Sequence, residues 1–283
     1  MKKKAIGIII FLLAVTTVLA VTFKDKGLGK INAKTGYSII QKWDLPDELK
    51  EVSGIEWLGD NKIAAVQDED GIIFIYNLTT SEIENQFSFG GNGDYEGIAI
   101  NEGTAYILKS DGTILEISDY SKNPKVKTYS TPLSKVKGID VEGLTWDKKN
   151  NTLLVAEKER KAEKKKKSIY SFDLQSKNSV EKPIFEIDLN DDFFKNSESR
   201  KKIKFNPSEI EIEPTSGDIY VLDGRNPKLL ILDKNGKPEQ IFFLNASTFA
   251  QPEGITFSPD GTLYISNEAG DGPANILQIK LEK

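Results

Sequence analysis

A short phrase recurs five times along the chain: an acidic residue or serine, then glycine, then two apolar residues separated by one position. It reads Ser53-Gly54-Ile55-Glu56-Trp57, Glu96-Gly97-Ile98-Ala99-Ile100, Glu142-Gly143-Leu144-Thr145-Trp146, Ser208-Glu209-Ile210-Glu211-Ile212 and Glu253-Gly254-Ile255-Thr256-Phe257. The equivalent points Gly54, Gly97, Gly143, Glu209 and Gly254 lie 43, 46, 66 and 45 residues apart. A period in the forties built from short strands is the signature of a propeller blade. The alternating apolar pair after each glycine position reads as a strand packed against neighbours on one face. A turn follows, such as Pro259-Asp260-Gly261, and then further strand-like runs, the fourth strand of the third repeat covering Pro183–Asp188.

The fifth repeat stops after its third strand, Asn275–Lys280, and the segment Tyr37–Trp43 ahead of the first repeat can supply the missing fourth. That pairing closes the ring and leaves no sheet edge between the chain ends. The predicted fold is therefore all-β: a five-bladed propeller over residues 37–283, closed by an N-terminal strand. The 66-residue step exceeds the others by about 20 residues, too few for the four strands of a sixth blade. Two insertions absorb the excess, the basic stretch Lys158–Lys167 and the polar stretch Asn190–Lys204.

Ahead of the propeller, Lys2, Lys3 and Lys4 precede an apolar run from Ala5 to Phe23. A basic start followed by an apolar stretch is the order of an export signal. Residues 1–23 read either as a signal peptide cleaved after Ala20 or as a retained anchor, the run being nearly long enough to span a bilayer. Residues 24–36 are polar and aperiodic and read as a linker. Both alternatives place the body outside the cytoplasm, membrane-anchored or periplasmic or secreted.

Composition narrows the chemistry. The chain has no cysteine and no histidine, which removes thiolate nucleophiles, thiolate–zinc sites, disulfides, the commonest general base and the commonest metal ligand. Without the three leader lysines, 35 basic residues stand against 43 acidic ones. A body with a net charge of −8 is not expected to bind nucleic acid, where a basic face supplies most of the affinity.

Antiparallel order puts the start of each first strand and the end of each second strand at one rim. Glu96, Glu142 and Glu253 thus share a rim with Asp68, Glu157, Asp223 and Glu268, and both insertions project over it. Inner strands converge on the propeller axis, so Glu96, Glu142 and Glu253 can approach a common point. Carboxylates brought together repel unless a cation neutralises them. Ca²⁺, which takes six to eight oxygens, suits a site without nitrogen or sulfur. The expected metal ligands are Glu96, Glu142, Glu253, Glu157 and Glu268. The alternative is a solvated channel whose carboxylates never meet. Lys158–Lys167 reads as a solvated, mobile tip or as a contact for an anionic surface. Gly90-Gly91-Asn92-Gly93-Asp94 reads as a mobile rim loop, and Trp57 and Trp146 as core packing.

The phrases Glu51-Val52-Ser53-Gly54-Ile55-Glu56-Trp57, Ala65-Val66-Gln67-Asp68-Glu69, Asp94-Tyr95-Glu96-Gly97-Ile98-Ala99 and Gln251-Pro252-Glu253-Gly254-Ile255 together resemble the SdiA-regulated (YjiK-like) family of bacterial proteins. The resemblance covers Tyr37 to Leu281 and implies a five-bladed propeller behind a membrane or export segment, with a bound calcium ion. Glu96, Glu142 and Glu253 match the family's Glu-Gly pattern, whereas Ser53 and Ser208 depart from it and break the symmetry of the ring. More distantly the chain resembles calcium-dependent propeller hydrolases. The expected function is an exported, envelope-associated, calcium-binding module for binding or signalling. It is expected to be a monomer that takes a small molecule or an envelope protein on the rim carrying Lys158–Lys167 and Asn190–Lys204. The alternative is a Ca²⁺-dependent extracytoplasmic hydrolase, phytase- or lactonase-like, in which the ion polarises an ester or phosphoryl oxygen.

Overall fold

The structure, a computed structural model, describes residues 36–160, 165–195 and 203–282. The leader and most of the linker fall outside the described residues. Among the described residues, twenty-one strands form five sheets arranged as blades. Blade one contains β2 (Val52–Gly59), β3 (Lys62–Gln67), β4 (Asp70–Asn77) and β5 (Glu82–Asn92). Blade two contains β6 (Tyr95–Asn101), β7 (Thr104–Lys109), β8 (Thr113–Ser118) and β9 (Lys125–Ser130). Blade three contains β10 (Ile139–Asp147), β11 (Thr152–Arg160), β12 (Lys166–Asp173), β13 (Asn178–Ser179) and β14 (Phe185–Asp188). Blade four contains β15 (Pro207–Ile212), β16 (Ile219–Asp223), β17 (Lys228–Leu232) and β18 (Pro238–Phe243). Blade five contains β19 (Pro252–Phe257), β20 (Leu263–Asn267) and β21 (Asn275–Leu281), and its fourth strand is β1 (Tyr37–Asp44). The last blade is thus completed by the start of the propeller, with Tyr37 opposite Leu281 and Asp44 opposite Asn275.

The inner strands β2, β6, β10, β15 and β19 touch in cyclic order, β19 returning to β2. Five apolar cores fill the spaces between neighbouring blades. Ile55, Phe74 and Tyr76 meet Tyr264 and Ile276 between blades one and five, for example, and Ile210, Val221 and Leu230 meet Leu154 and Ile169 between blades four and three. Each fully buried aliphatic side chain contributes about 1.5–3 kcal/mol, so every blade depends on both neighbours.

Close approach at the inner strands explains the repeated glycine. A Cβ at Gly97 would lie 2.8 Å from Leu144 Cβ, and one at Gly54 would lie 2.9 Å from Gly97 Cα. The fourth phrase carries Glu209 instead. Its carboxylate is buried and accepts hydrogen bonds from the backbone N–H groups of Leu144 and Ile210.

Three sequence expectations change. The stretch Lys158–Lys167 is not wholly a solvated tip. Strand β11 runs through Lys158 to Arg160 and β12 begins at Lys166, because Ile139 and Asp140 extend β10 backward and pair with Arg160 and Glu159. The outer strand of blade three, expected as one run over Pro183–Asp188, is two pieces. Strand β13 pairs with the end of β12 and β14 with its start. Finally, Gly90, Gly91 and Asn92 belong to β5, where Gly71 packs on Gly90 and the Tyr95 hydroxyl donates to Gly91 O at 2.9 Å. The second insertion is anchored in the core: Phe194 within it and Phe205 directly after it are each 1% exposed and pack between blades three and four. Its residues 196–202 lie outside the described ones.

Candidate functional site at the upper mouth of the channel

The first residue of every phrase sits at a β-bulge. The pairing of first and second strands slips between Val52 and Gly54, Tyr95 and Gly97, Val141 and Gly143, Pro207 and Glu209, and Pro252 and Gly254. The residues left out of register are Ser53, Glu96, Glu142, Ser208 and Glu253. A bulged residue has no partner across the ladder, and its strand bends there and re-aims the side chain. The repeat therefore delivers five side chains that stand outside the strand ladder to one mouth of the channel.

What each does depends on its chemistry. The serines tie adjacent blades: Ser53 Oγ donates to Tyr95 O at 2.7 Å and Ser208 Oγ to Pro252 O at 2.9 Å. Tyr95 and Pro252 each precede a ring glutamate, so each serine fixes the backbone that presents the next carboxylate. The departures from Glu at positions 53 and 208 are thus structural contacts.

The glutamates gather around an ammonium group that the sequence reading left in a loop. Lys158 Nζ pairs with Glu142 Oε1, both side chains being largely buried. Its charge also acts on Glu96, Asp140, Glu253 and Glu268, favouring their ionised forms. Lys158 is held from behind, because Lys167 Nζ donates to its backbone carbonyl. Lys167 is itself buried, which lowers its pKa, with Glu157 the largest opposing influence. Four of the expected residues, Glu96, Glu142, Glu253 and Glu268, thus share Lys158. The fifth, Glu157, is buried beside Lys167.

One ammonium does not offset so many carboxylates. Burial, the charge and hydrogen bond of Asp94, and the charge of Asp140 push Glu96 up to about 9 against the pull of Lys158. Glu268 is pushed up to about 8 by burial and by the charges of Glu253, Asp68 and Glu51. Glu253 rises to about 7, chiefly through burial, with Asp223 and Asp140 adding to it and Lys158 and Gln251 opposing. Asp223, fully buried, is paired with Lys228 at 3.0 Å, and Arg225 reaches Glu159 at 3.1 Å. Between them Gly224 leaves room for Glu253, since a Cβ there would lie 2.7 Å from Glu253 Oε1.

Glu142 Oε2, Asp68 Oδ1 and Asn267 Oδ1 are buried without a hydrogen-bond partner. Unpaired buried oxygens of this kind are costly. All are hard donors of the type that holds Ca²⁺, so the chemistry of the residues fits such an ion. Among the described residues no three carboxylates stand ready-assembled as a metal cluster, and Lys158 occupies their common neighbourhood. Lys158 and Asp140 were missed from the sequence. The signal was the apolar pair Ile139 and Val141 continuing the alternation back from Glu142, which demands a partner strand beyond Glu157.

The sequence profile of the SdiA-regulated family matches residues 82–271. Among curated proteins no sequence matches the chain significantly. Solved structures similar to it include the glutaminyl cyclase of Myxococcus xanthus, at a TM-score of 0.60 and 14% identity over 87% of this chain and 96% of that one. The PQQ-bound aldose sugar dehydrogenase of Streptomyces coelicolor aligns with a TM-score of 0.53 and 12% identity, over 88% and 99% of the two chains. A luciferin-regenerating enzyme aligns at 0.52 and 9% identity over 84% and 94%. At these identities the likeness is one of fold.

Proposed function

The chain belongs to the SdiA-regulated family, and on that premise we propose that it is an exported, envelope-associated propeller that binds Ca²⁺ at its upper mouth and works as a binding or signalling module. The observation that carries this reading is the surplus of buried carboxylate around Lys158, with Glu142 Oε2 left unpaired. Glu96, Glu142, Glu253 and Glu268 would hold the ion, and Glu157 would remain with Lys167. When bound, the ion supplies the positive charge that one lysine does not. Lys158 acts as the resident counter-ion: it keeps the carboxylates together in the ion's absence and must withdraw from Glu142 when the ion enters. The partner, a small molecule or an envelope protein, would meet the rim that carries Lys158–Lys167 and Asn190–Lys204, of which residues 161–164 and 196–202 lie outside the described ones. Export rests on the order of basic and apolar residues in 1–23, and the mass of the mature N-terminus distinguishes cleavage after Ala20 from a retained anchor.

Calorimetric titration tests the metal. The purified protein should bind Ca²⁺ saturably at or below millimolar concentration, and Mg²⁺ more weakly because it demands tighter octahedral geometry. Glu142→Gln should lose most of that binding, whereas Glu239→Gln, on the exposed outer strand β18, should keep it. Absence of Ca²⁺ binding, or binding indifferent to Glu142→Gln, overturns the reading.

A further inference from the structure

The opposite mouth of the channel opens into a cavity of about 1150 Å³ that continues into the groove between blades three and four. Glu56 of blade one and Glu211 of blade four line it, together with Trp57, Trp146, Thr256 and Phe257. Both glutamates occupy the same place in their phrases, two residues beyond the glycine position, where the other blades carry Ala99, Thr145 and Thr256. Glu211 Oε1 accepts from Thr145 Oγ1 at 2.6 Å and from the Ile212 backbone N–H at 2.7 Å, which fixes its orientation.

The lining combines three features. Among the described residues its carboxylates have no built-in cation: the groups acting on them are each other, Thr145 and backbone N–H groups, and the cavity's lysines, Lys148, Lys149 and Lys234, are exposed. Its walls include two indoles, one of them made rigid by stacking, Trp57 lying on Tyr264 at 5.1 Å and 21°. The Trp146 indole N–H is buried and has no acceptor, although an indole N–H usually finds one. An anionic pair wants a cation, an aromatic face attracts one, and the idle indole donor wants an oxygen. A neutral sugar would meet the indoles but leave the charge unanswered.

We propose that this cavity binds a small organic ammonium ion bearing a hydroxyl or other oxygen acceptor, its charge against Glu56 and Glu211, its body against Trp57 and Trp146. The state of the empty pair agrees with this. Burial and then the charge of Glu211 hold Glu56 well above the usual carboxylate range, and burial pushes Glu211 up to about 7. The pair therefore keeps a proton at neutral pH that an entering cation displaces.

Choline is a suitable probe, with 3,3-dimethylbutan-1-ol as its uncharged isostere. Two of the three tryptophans line the cavity, so indole fluorescence reports occupancy directly. Choline should change the fluorescence saturably, the isostere should not, and the calorimetric heat should depend on the buffer because a proton is released. Glu211→Gln and Glu56→Gln should each weaken choline at least about tenfold, the loss of roughly one charge-assisted contact. Both variants remove buried repulsion, so they should melt no lower than the parent, which separates lost binding from lost folding. Trp146→Phe should weaken binding with the charges intact. Equal binding of the isostere, no saturable response to choline up to about 10 mM, or affinity unmoved in the Gln variants would each overturn the proposal.

Discussion

The two mouths of the channel are built by the same five strands and solve the same problem in opposite ways. At the upper mouth the carboxylates stand on β-bulges and share Lys158, an ammonium carried by the chain itself. At the lower mouth Glu56 and Glu211 stand on regular strand, face a cavity, and have no basic partner among the described residues. Acidic residues at an axis do not by themselves define a site; what differs is where the neutralising charge comes from. On the proposed reading the upper mouth exchanges a tethered cation for a free one, while the lower mouth protonates or takes a ligand.

The largest effect should come from breaking the frame both mouths share. Gly97→Val would drive a side chain into Leu144 Cβ and into Glu142 O, which is 3.1 Å from an ideal Cβ. Backbone cannot yield as a flexible side chain does, so the expected loss is about 3 kcal/mol or more. Denaturant unfolding should show it, and Gly103→Val serves as the contrast: nothing lies within 4 Å there, and only its positive φ of 81° is strained, a cost of about 1–2 kcal/mol.

Next in size is the asymmetry itself. In the absence of divalent ions Lys158→Met should destabilise the protein by about 2–4 kcal/mol, because removing one member of a buried pair strands the other. Glu211→Gln at the lower mouth should be neutral or stabilising, since it relieves repulsion and keeps the acceptor for Thr145 and Ile212. Equal losses at both mouths in thermal melts would erase the distinction.

A third effect is graded with pH. Burial, above all, pushes Glu96, Glu268 and Glu253 up to about 9, 8 and 7 in the fold, from the ordinary value of about 4.3 in the unfolded chain. The folded state therefore holds protons that the unfolded state has lost, and stability falls as pH rises from about 5 to 9, by up to about 1.4 kcal/mol per pH unit for each group. Glu96→Gln should remove one group's share of the fall throughout that range and leave stability nearly level above about pH 8. A melting temperature that climbs over this range contradicts the electrostatics of the upper mouth. Smallest of all should be Lys42→Ala, whose partner Asp44 is exposed with it; such pairs are worth well under about 1 kcal/mol.

Much of this was legible in the sequence. The five-fold phrase and the arithmetic of the missing strand lead to the propeller and its closure, because strand alternation and glycine packing leave direct marks on residue order. Four residues gathered at the upper mouth, Glu96, Glu142, Glu253 and Glu268, follow from the same register. Lys158 does not, because a run rich in lysine has the composition of a solvated loop whether or not its first members are paired in β11. The bulges are equally silent: one extra residue leaves the local alternation intact on either side. Glu56 and Glu211 look like ordinary outward polar positions of a strand, and only the ring geometry brings them to one cavity with Trp57 and Trp146.

The most direct test of the account is the calcium response of Lys158→Met followed by melting temperature. If Lys158 holds the place of a free cation, the variant melts lower than the parent without Ca²⁺. Saturating Ca²⁺ then raises its melting temperature by more than it raises the parent's, since the ion no longer competes with an ammonium. An equal or smaller rise in the variant, or none in either protein, would contradict it.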